Sequence, residues 1–183
     1  DFLGLSNLTI LRQAVDLIER HKGVRIDLDH IPLDDTTTFD LLSSGETTGV
    51  FQLESAGMRR HIKELRPTSV FDLAAMVALF RPGPMDNIPS YIRRKHGQEK
   101  VTYLHPLLEN SLAKTLGVPL FQEQLMQIAI DVAGFSPAEA DQLRQAMGSK
   151  RSDRRMAALR ERFDAGLAEQ DITGSVAEAI WDK

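Results

Sequence analysis

The feature that most restricts the fold of this chain is a helical spacing of apolar residues along almost its whole length. One face of the first predicted helix carries four apolar residues: Leu8, Leu11, Val15 and Ile18. Ser6 is the expected N-cap of this helix, and Gly23 ends it. The same spacing recurs between proline and glycine breaks up to the last residues. The pattern therefore predicts a mainly α protein of about nine helices.

Several later helices carry recognisable start signals. Thr36 or Thr37 is the expected cap of a short helix that ends near Gly45. The pairs Ser69–Asp72 and Ser136–Glu139 have the spacing of capping boxes, and Pro137 strengthens the second start. The sequence TTGVFQL at residues 47–53 is rich in β-branched and aromatic residues and is the best candidate for extended backbone.

Composition excludes several classes of protein. The chain has no cysteine, which excludes disulfides, thiolate zinc sites and a cysteine nucleophile. It has no apolar run of the roughly 18 residues that a transmembrane helix needs, and no signal peptide, so we expect a cytoplasmic protein without a membrane partner. Since it begins with Asp1 and ends within a helical pattern, we expect a segment of a longer protein.

Motifs for self-contained catalysis are absent from the sequence. There is no Walker A loop, no Rossmann glycine fingerprint and no nucleophile elbow. The five histidines never pair at i,i+3 or i,i+4, which argues against a histidine metal site and favours solvent-exposed histidines: His21, His30, His61, His96 and His105.

Positive charge is concentrated in two stretches, although the net charge is −4. Residues 81–104 contain five basic and two acidic residues, and residues 142–162 contain seven basic and two acidic residues. Such clusters neutralise phosphates, but a solvated helix face has the same composition.

Arg81 is a more specific candidate for a phosphate ligand, because a helix precedes it and two prolines follow it. It is either a rigidly presented phosphate ligand or a residue that complements the helix dipole.

Six motifs in one order give the chain a resemblance to a known family. They are DFLGL at 1–5, GVFQLES at 49–55, RPGP at 81–84, RKHG at 94–97, FQEQ at 121–124 and LRQAMG at 143–148. Together they resemble the C-family bacterial DNA polymerases, the family of the DNA polymerase III alpha subunit. Residues 115–156 are also similar to the error-prone paralogue, so both forms remain open.

The resemblance implies a fold of palm, thumb and fingers, of which this chain is a piece. Residues 1–6 would be the end of the palm, with a short extended segment, and residues 7–183 a helical, truncated fingers domain. Asp1 would be one of three palm carboxylates that bind two Mg²⁺ ions for nucleotidyl transfer. Since the other two carboxylates are missing, we expect the 183-residue chain alone to be inactive and only the intact DNA-directed DNA polymerase to add nucleotides.

The resemblance also implies binding residues and partners. Candidate ligands of the incoming deoxynucleoside triphosphate are Arg81, Arg93, Arg94, Lys95, Gln122, Gln124 and Arg144. Candidate contacts to primer-template DNA are Lys150, Arg151, Arg154 and Arg155. The sliding clamp and other replisome subunits would bind parts outside this chain. The alternative is a non-catalytic helical module that binds DNA or an acidic protein.

Overall fold

A computed structural model describes residues 4–148 and 153–182 of the chain. This part contains ten α-helices and no strand. The helices are Ser6–Lys22 (α1), Thr36–Ser44 (α2), Ala56–Leu65 (α3), Val70–Leu79 (α4), Ile88–Lys95 (α5), Glu109–Leu112 (α6), Gln122–Ala133 (α7), Pro137–Met147 (α8), Asp153–Glu169 (α9) and Gly174–Trp181 (α10). Short 3₁₀ turns lie at Leu28–His30, Pro84–Asn87, Pro106–Leu108 and Ala113–Thr115. The predicted mainly α class is confirmed.

The chain divides into two compact units, Asp1–Ala74 and Ala75–Lys183, and the division falls inside α4. In the first unit, α2 packs on α3, and both helices contribute buried apolar residues. The apolar face of α3 is buried, with Met58, Ile62 and Leu65 all inside the unit. Helix α1 contributes no buried residue.

The second unit is built around three helices, because α7 packs against both α8 and α9. Its core contains buried apolar residues from all three helices, including Val132, Leu143 and Leu167. The Phe163 ring meets Phe135 and Trp181 edge to face, at centroid distances of 5.9 and 5.2 Å. These contacts hold the turn between α7 and α8 against α9 and α10.

The two predicted capping boxes are confirmed. In each box the two partners are three residues apart, so that one helical turn brings them together. The Ser136 amide donates to Glu139 Oε2 at 2.7 Å, and the Glu139 amide donates to Ser136 Oγ at 3.3 Å. The Asp72 amide donates to Ser69 Oγ at 3.2 Å, and the Ser69 amide donates to Asp72 Oδ2 at 3.1 Å. Gly23 ends α1 in the left-handed conformation, as predicted.

Two cap predictions were wrong by one residue. Leu5, rather than Ser6, is the N-cap of α1, and it makes no side-chain cap bond. Asp35, rather than Thr36 or Thr37, caps α2, and its carboxylate accepts from the next helical amides. Hydrogen bonding of this carboxylate, led by the Thr38 hydroxyl, lowers the pKa of Asp35.

The prediction of extended backbone at residues 47–53 was also wrong. Consecutive turns occupy this stretch: the Val50 amide donates to the Thr47 carbonyl, and the Leu53 amide donates to the Val50 carbonyl, both at 3.0 Å. Gly49 and Gln52 have φ angles of 79° and 64°, which a strand excludes. The expected extended segment at the palm edge involves residues 1–3, which lie outside the described residues; Leu5, just after them, has extended dihedral angles.

Candidate nucleotide-binding site

A cavity of about 270 Å³ lies in the second unit, between the start of α7, the end of α8 and the turn after α4. Three predicted nucleotide ligands line it together: Arg81, Gln122 and Arg144. The other lining residues are Leu125, Met126, Ala140, Leu143, Met147 and Gly148. Two guanidinium groups and one amide thus meet at a mostly apolar wall, although up to 63 residues of chain separate them.

The Arg81 backbone is fixed by the turn that follows α4. Its amide donates to the Leu79 carbonyl at 2.8 Å, and its own carbonyl accepts from the Met85 amide at 3.2 Å. Gly83 has a φ of 98°, which only glycine adopts readily, so the Pro-Gly-Pro turn needs this residue. The Arg81 side chain is exposed and donates from Nη2 to the Leu120 carbonyl at 3.4 Å. The turn therefore presents an exposed guanidinium at the cavity.

Arg144 lies one turn from the end of α8 and is held by an acidic neighbour. Its Nε and Nη2 donate to Asp141 Oδ1 at 2.9 and 2.8 Å. The hydrogen bonds from Arg144 and Gln145 lower the pKa of Asp141, which keeps this carboxylate charged. Sequence analysis did not identify Asp141 as part of the site, although its i,i+3 spacing from Arg144 is a signal for such a pair. A bound phosphate would share Arg144 with Asp141.

The basic run at the end of α5 does not line this cavity. Arg93 donates to Glu99 Oε2 from Nε at 3.0 Å and from Nη2 at 2.7 Å, and Arg94 donates from Nε to Glu99 Oε1 at 2.8 Å. Hydrogen bonds from Ser90, Arg93 and Arg94 lower the pKa of Glu99 to about 2. Arg94 lines a separate cavity of about 560 Å³, and Lys95 is half-buried. None of these three residues lines the Arg81 cavity, and their nucleotide contact stays a prediction.

Gln124 is close in sequence to Gln122 of the cavity wall, but its side chain forms hydrogen bonds within the fold. Its amide accepts from two backbone amides and donates to two oxygens of the preceding segment. It is half-buried and is not part of the cavity wall.

The predicted DNA-binding residues lie around the start of α9. Arg154 and Arg155 are exposed on its first turns, whereas Lys150 and Arg151 lie outside the described residues. Two neighbouring arginines have structural contacts: Arg160 binds Asp164 and Glu178, and Arg162 binds Glu139 and two backbone carbonyls. DNA contact by Arg154 and Arg155 stays a prediction.

The metal prediction rests on Asp1, which also lies outside the described residues. Within residues 4–148 and 153–182, no three acidic or histidine side chains are grouped so that they could hold a metal ion. The described part therefore does not form a Mg²⁺ site by itself. The prediction that the histidines are exposed was wrong for His61, whose side chain is 12% exposed and lies 3.8 Å from Glu64, and for His105, which is half-buried. No helix of the described part is long and apolar enough to span a membrane.

Comparison with known proteins agrees with the order of motifs in the sequence. The model of the bacterial DNA polymerase III alpha subunit finger domain matches residues 7–171. An error-prone DNA polymerase of Nocardia farcinica is 52% identical over 186 residues, and a DNA polymerase III subunit alpha of Thermus aquaticus is 49% identical over 191 residues. Both alignments cover all of this chain but only 16% and 15% of the relatives. The chain therefore belongs to the finger domain family of the bacterial DNA polymerase III alpha subunit, as its six motifs predicted.

Proposed function

We propose that this chain is the fingers region of a DNA-directed DNA polymerase and that the Arg81 cavity binds the triphosphate of the incoming deoxynucleotide. The family and the names of the relatives support a polymerase, and those names include both a DNA polymerase III subunit alpha and an error-prone DNA polymerase. The observation that carries the proposal is the convergence of Arg81, Gln122 and Arg144 on one cavity. The domain division at residues 6 and 7 is part of the proposal.

The chemistry of the cavity fits a polyphosphate. A guanidinium presents planar, permanently charged donors that match phosphate oxygens, and the Gln122 amide adds a neutral donor. The 3.4 Å bond to the Leu120 carbonyl is the one hydrogen bond that the described residues give to the Arg81 side chain. Arg81 is therefore better placed than Arg144, which has a carboxylate partner, to accept a phosphate. The apolar wall lowers the local polarity around the charges.

The remaining parts of the reaction involve Asp1, which lies outside the described residues, and the start of α9. Asp1, as a palm carboxylate, would help to bind two Mg²⁺ ions, and these would activate the primer hydroxyl and stabilise the leaving pyrophosphate. Primer-template DNA would contact the start of α9. The sliding clamp and other replisome subunits would bind parts of the polymerase outside this chain.

The test is a nucleotide titration of Arg81 variants in the intact polymerase. Arg81→Ala should raise the KM for all four deoxynucleotides by about 10-fold or more, because a charge-assisted bond is lost. The increase should not depend on the base, since phosphates carry no sequence information. Arg81→Lys should restore part of the affinity, because an ammonium cannot form the bidentate contact. Arg60→Ala, an exposed arginine of α3, is the control.

A reduced melting temperature with an unchanged KM in Arg81→Ala would show that Arg81 is only a helix-end residue, and the proposal would be wrong.

A further inference from the structure

The side chain of Gln124 joins three segments of the second unit. Its Oε1 accepts from the Leu120 amide at 2.9 Å and from the Phe121 amide at 3.1 Å. Its Nε2 donates to the Ser111 carbonyl at 3.0 Å and to Thr115 Oγ1 at 2.7 Å. A primary amide has two donor hydrogens and one acceptor oxygen, so these four bonds use the whole group.

One of these bonds determines the direction of a carbonyl that Arg81 contacts. The Phe121 amide and the Leu120 carbonyl belong to the same planar peptide unit and point to opposite sides of the chain. When Gln124 Oε1 accepts from that amide, the Leu120 carbonyl is directed away from Gln124, and Arg81 Nη2 donates to it at 3.4 Å. Rotation of the peptide would remove the Arg81 contact.

The segment around Thr115, which accepts a hydrogen bond from Gln124, is firmly held within the fold. Thr115 is 1% exposed, and its hydroxyl also donates to the Leu112 carbonyl at 3.2 Å. The next residue, Leu116, has a φ of 55°, and Arg94 Nη1 donates to its carbonyl at 2.8 Å. Gln124 is therefore attached to a segment that cannot easily follow its movement.

We infer that Gln124 is a positioning residue for Arg81, acting through the peptide between Leu120 and Phe121, and this rests on the proposed role of Arg81 in binding nucleotide. Gln124 itself does not contact the nucleotide. All of its polar atoms are bonded within the fold, and it is not in the cavity wall. This assignment replaces the direct nucleotide contact expected from sequence.

A double-mutant cycle in the intact polymerase tests the inference. The variants are Gln124→Ala, Arg81→Ala and the pair, with steady-state KM, kcat and melting temperature measured for each. Gln124→Ala should raise the nucleotide KM about 3- to 10-fold, the range for one hydrogen-bonded contact, and change kcat little. In the Arg81→Ala background the same substitution should raise KM less than about 1.5-fold, because the residue through which it acts is gone.

Two further variants separate positioning from loss of stability. Gln127→Ala is the matched control: Gln127 is also a half-buried glutamine of α7, but its amide donates to Asp131 Oδ1 at 2.6 Å and not to the Gln124 partners. It should leave KM unchanged. Gln124→Glu retains oxygen acceptors for the Leu120 and Phe121 amides, so its KM should lie nearer wild type than that of Gln124→Ala, even if its melting temperature falls.

The possible outcomes are distinct. Three results would each overturn the positioning role. They are an unchanged KM in Gln124→Ala, an equal KM increase with and without Arg81, and a KM of Gln124→Glu that is as high as that of Gln124→Ala. If Arg81→Ala alone leaves KM unchanged, the proposed nucleotide site fails instead. If Gln124→Ala does not fold, the nucleotide KM of Gln124→Glu is compared in the wild-type and Arg81→Ala backgrounds. A KM increase that is seen only when Arg81 is present supports the positioning role. A KM increase that persists in Arg81→Ala refutes it.

Discussion

A single methyl group added at Gly166, in the last turn of α9, should destabilise the fold strongly. A Cβ atom at this residue would lie 1.9 Å from the Ala133 carbonyl oxygen, 2.5 Å from its carbon and 2.7 Å from its Cα. All three atoms belong to backbone at the end of α7, and Ala133 is completely buried. No rotamer change can relieve the overlap, so α7 and α9 would have to separate.

Two opposing effects determine how much the free energy of unfolding falls in Gly166→Ala. An ordinary contact of 3.4 Å would require a shift of about 1.5 Å, which would disturb the packing of Phe163 and Leu167 in the core. Overpacking of this kind costs up to about 3 kcal/mol. Alanine has a higher helix propensity than glycine by about 1 kcal/mol in a helix interior. Gly166→Ala should therefore lower the free energy of unfolding by about 2 kcal/mol.

Thermal unfolding followed by circular dichroism measures this effect. For a chain of this size, about 2 kcal/mol corresponds to a fall in melting temperature of roughly 4–8 °C. Gly148→Ala is the matched control, because Gly148 is right-handed, with a φ of −81°, and its added Cβ would meet nothing nearer than 3.8 Å. That variant should keep or raise the melting temperature. A raised melting temperature in Gly166→Ala would refute the close helix contact.

Two further predictions concern carboxylates. The pKa of Glu99 is lowered from 4.5 to about 2, so its ion pairs stabilise the fold above about pH 4.5, and this contribution is lost as the pH falls through about 2. Glu99→Gln should therefore reduce the fall of melting temperature between pH 4.5 and 2, and an unchanged slope would contradict this. Asp72→Ala should cost about 1–3 kcal/mol in urea unfolding, because the Thr68 and Ser69 amides lose their acceptor; Asp72→Asn, which keeps an oxygen, should cost less.

Features determined within a few residues could be predicted from the sequence. The boxes at Ser69–Asp72 and Ser136–Glu139 form because both partners are in the same helical turn. The caps expected at Ser6 and at Thr36 or Thr37 lie instead at Leu5 and Asp35, because residue type alone does not fix the exact end of a helix.

Strand propensity misled the prediction for residues 47–53. The β-branched and aromatic residues there favour a strand only when a neighbouring strand is available. The described part has no strand, and Thr47 Oγ1 instead donates to the Leu53 carbonyl at 2.6 Å, which closes the turns. Gly49 allows the left-handed backbone that this closure needs. The contact spans six residues, beyond the reach of residue propensities.

The candidate site shows a similar limit. The resemblance pointed to Arg81, Gln122 and Arg144, and the structure brings them to one cavity. It equally pointed to Arg94 and Gln124, whose polar atoms bind Glu99, the Leu116 carbonyl and the segment before α7. A motif identifies a residue type at a position, but only the fold decides whether its donors face the ligand or the protein.

Arg162 and Arg81 illustrate this difference. Arg162 donates to the Ala133 and Gly134 carbonyls at 3.1 and 2.9 Å, pairs with Glu139 and lies 5.1 Å over the Phe135 ring. Releasing it to a phosphate would leave carbonyls at the end of α7 without a donor, which costs more than one exposed contact returns. Toward the described residues, Arg81 makes a single 3.4 Å bond from Nη2 and keeps its other donors for a phosphate. The same charge therefore stabilises the fold at one position and is available for binding at the other, and counting basic residues cannot tell the two apart.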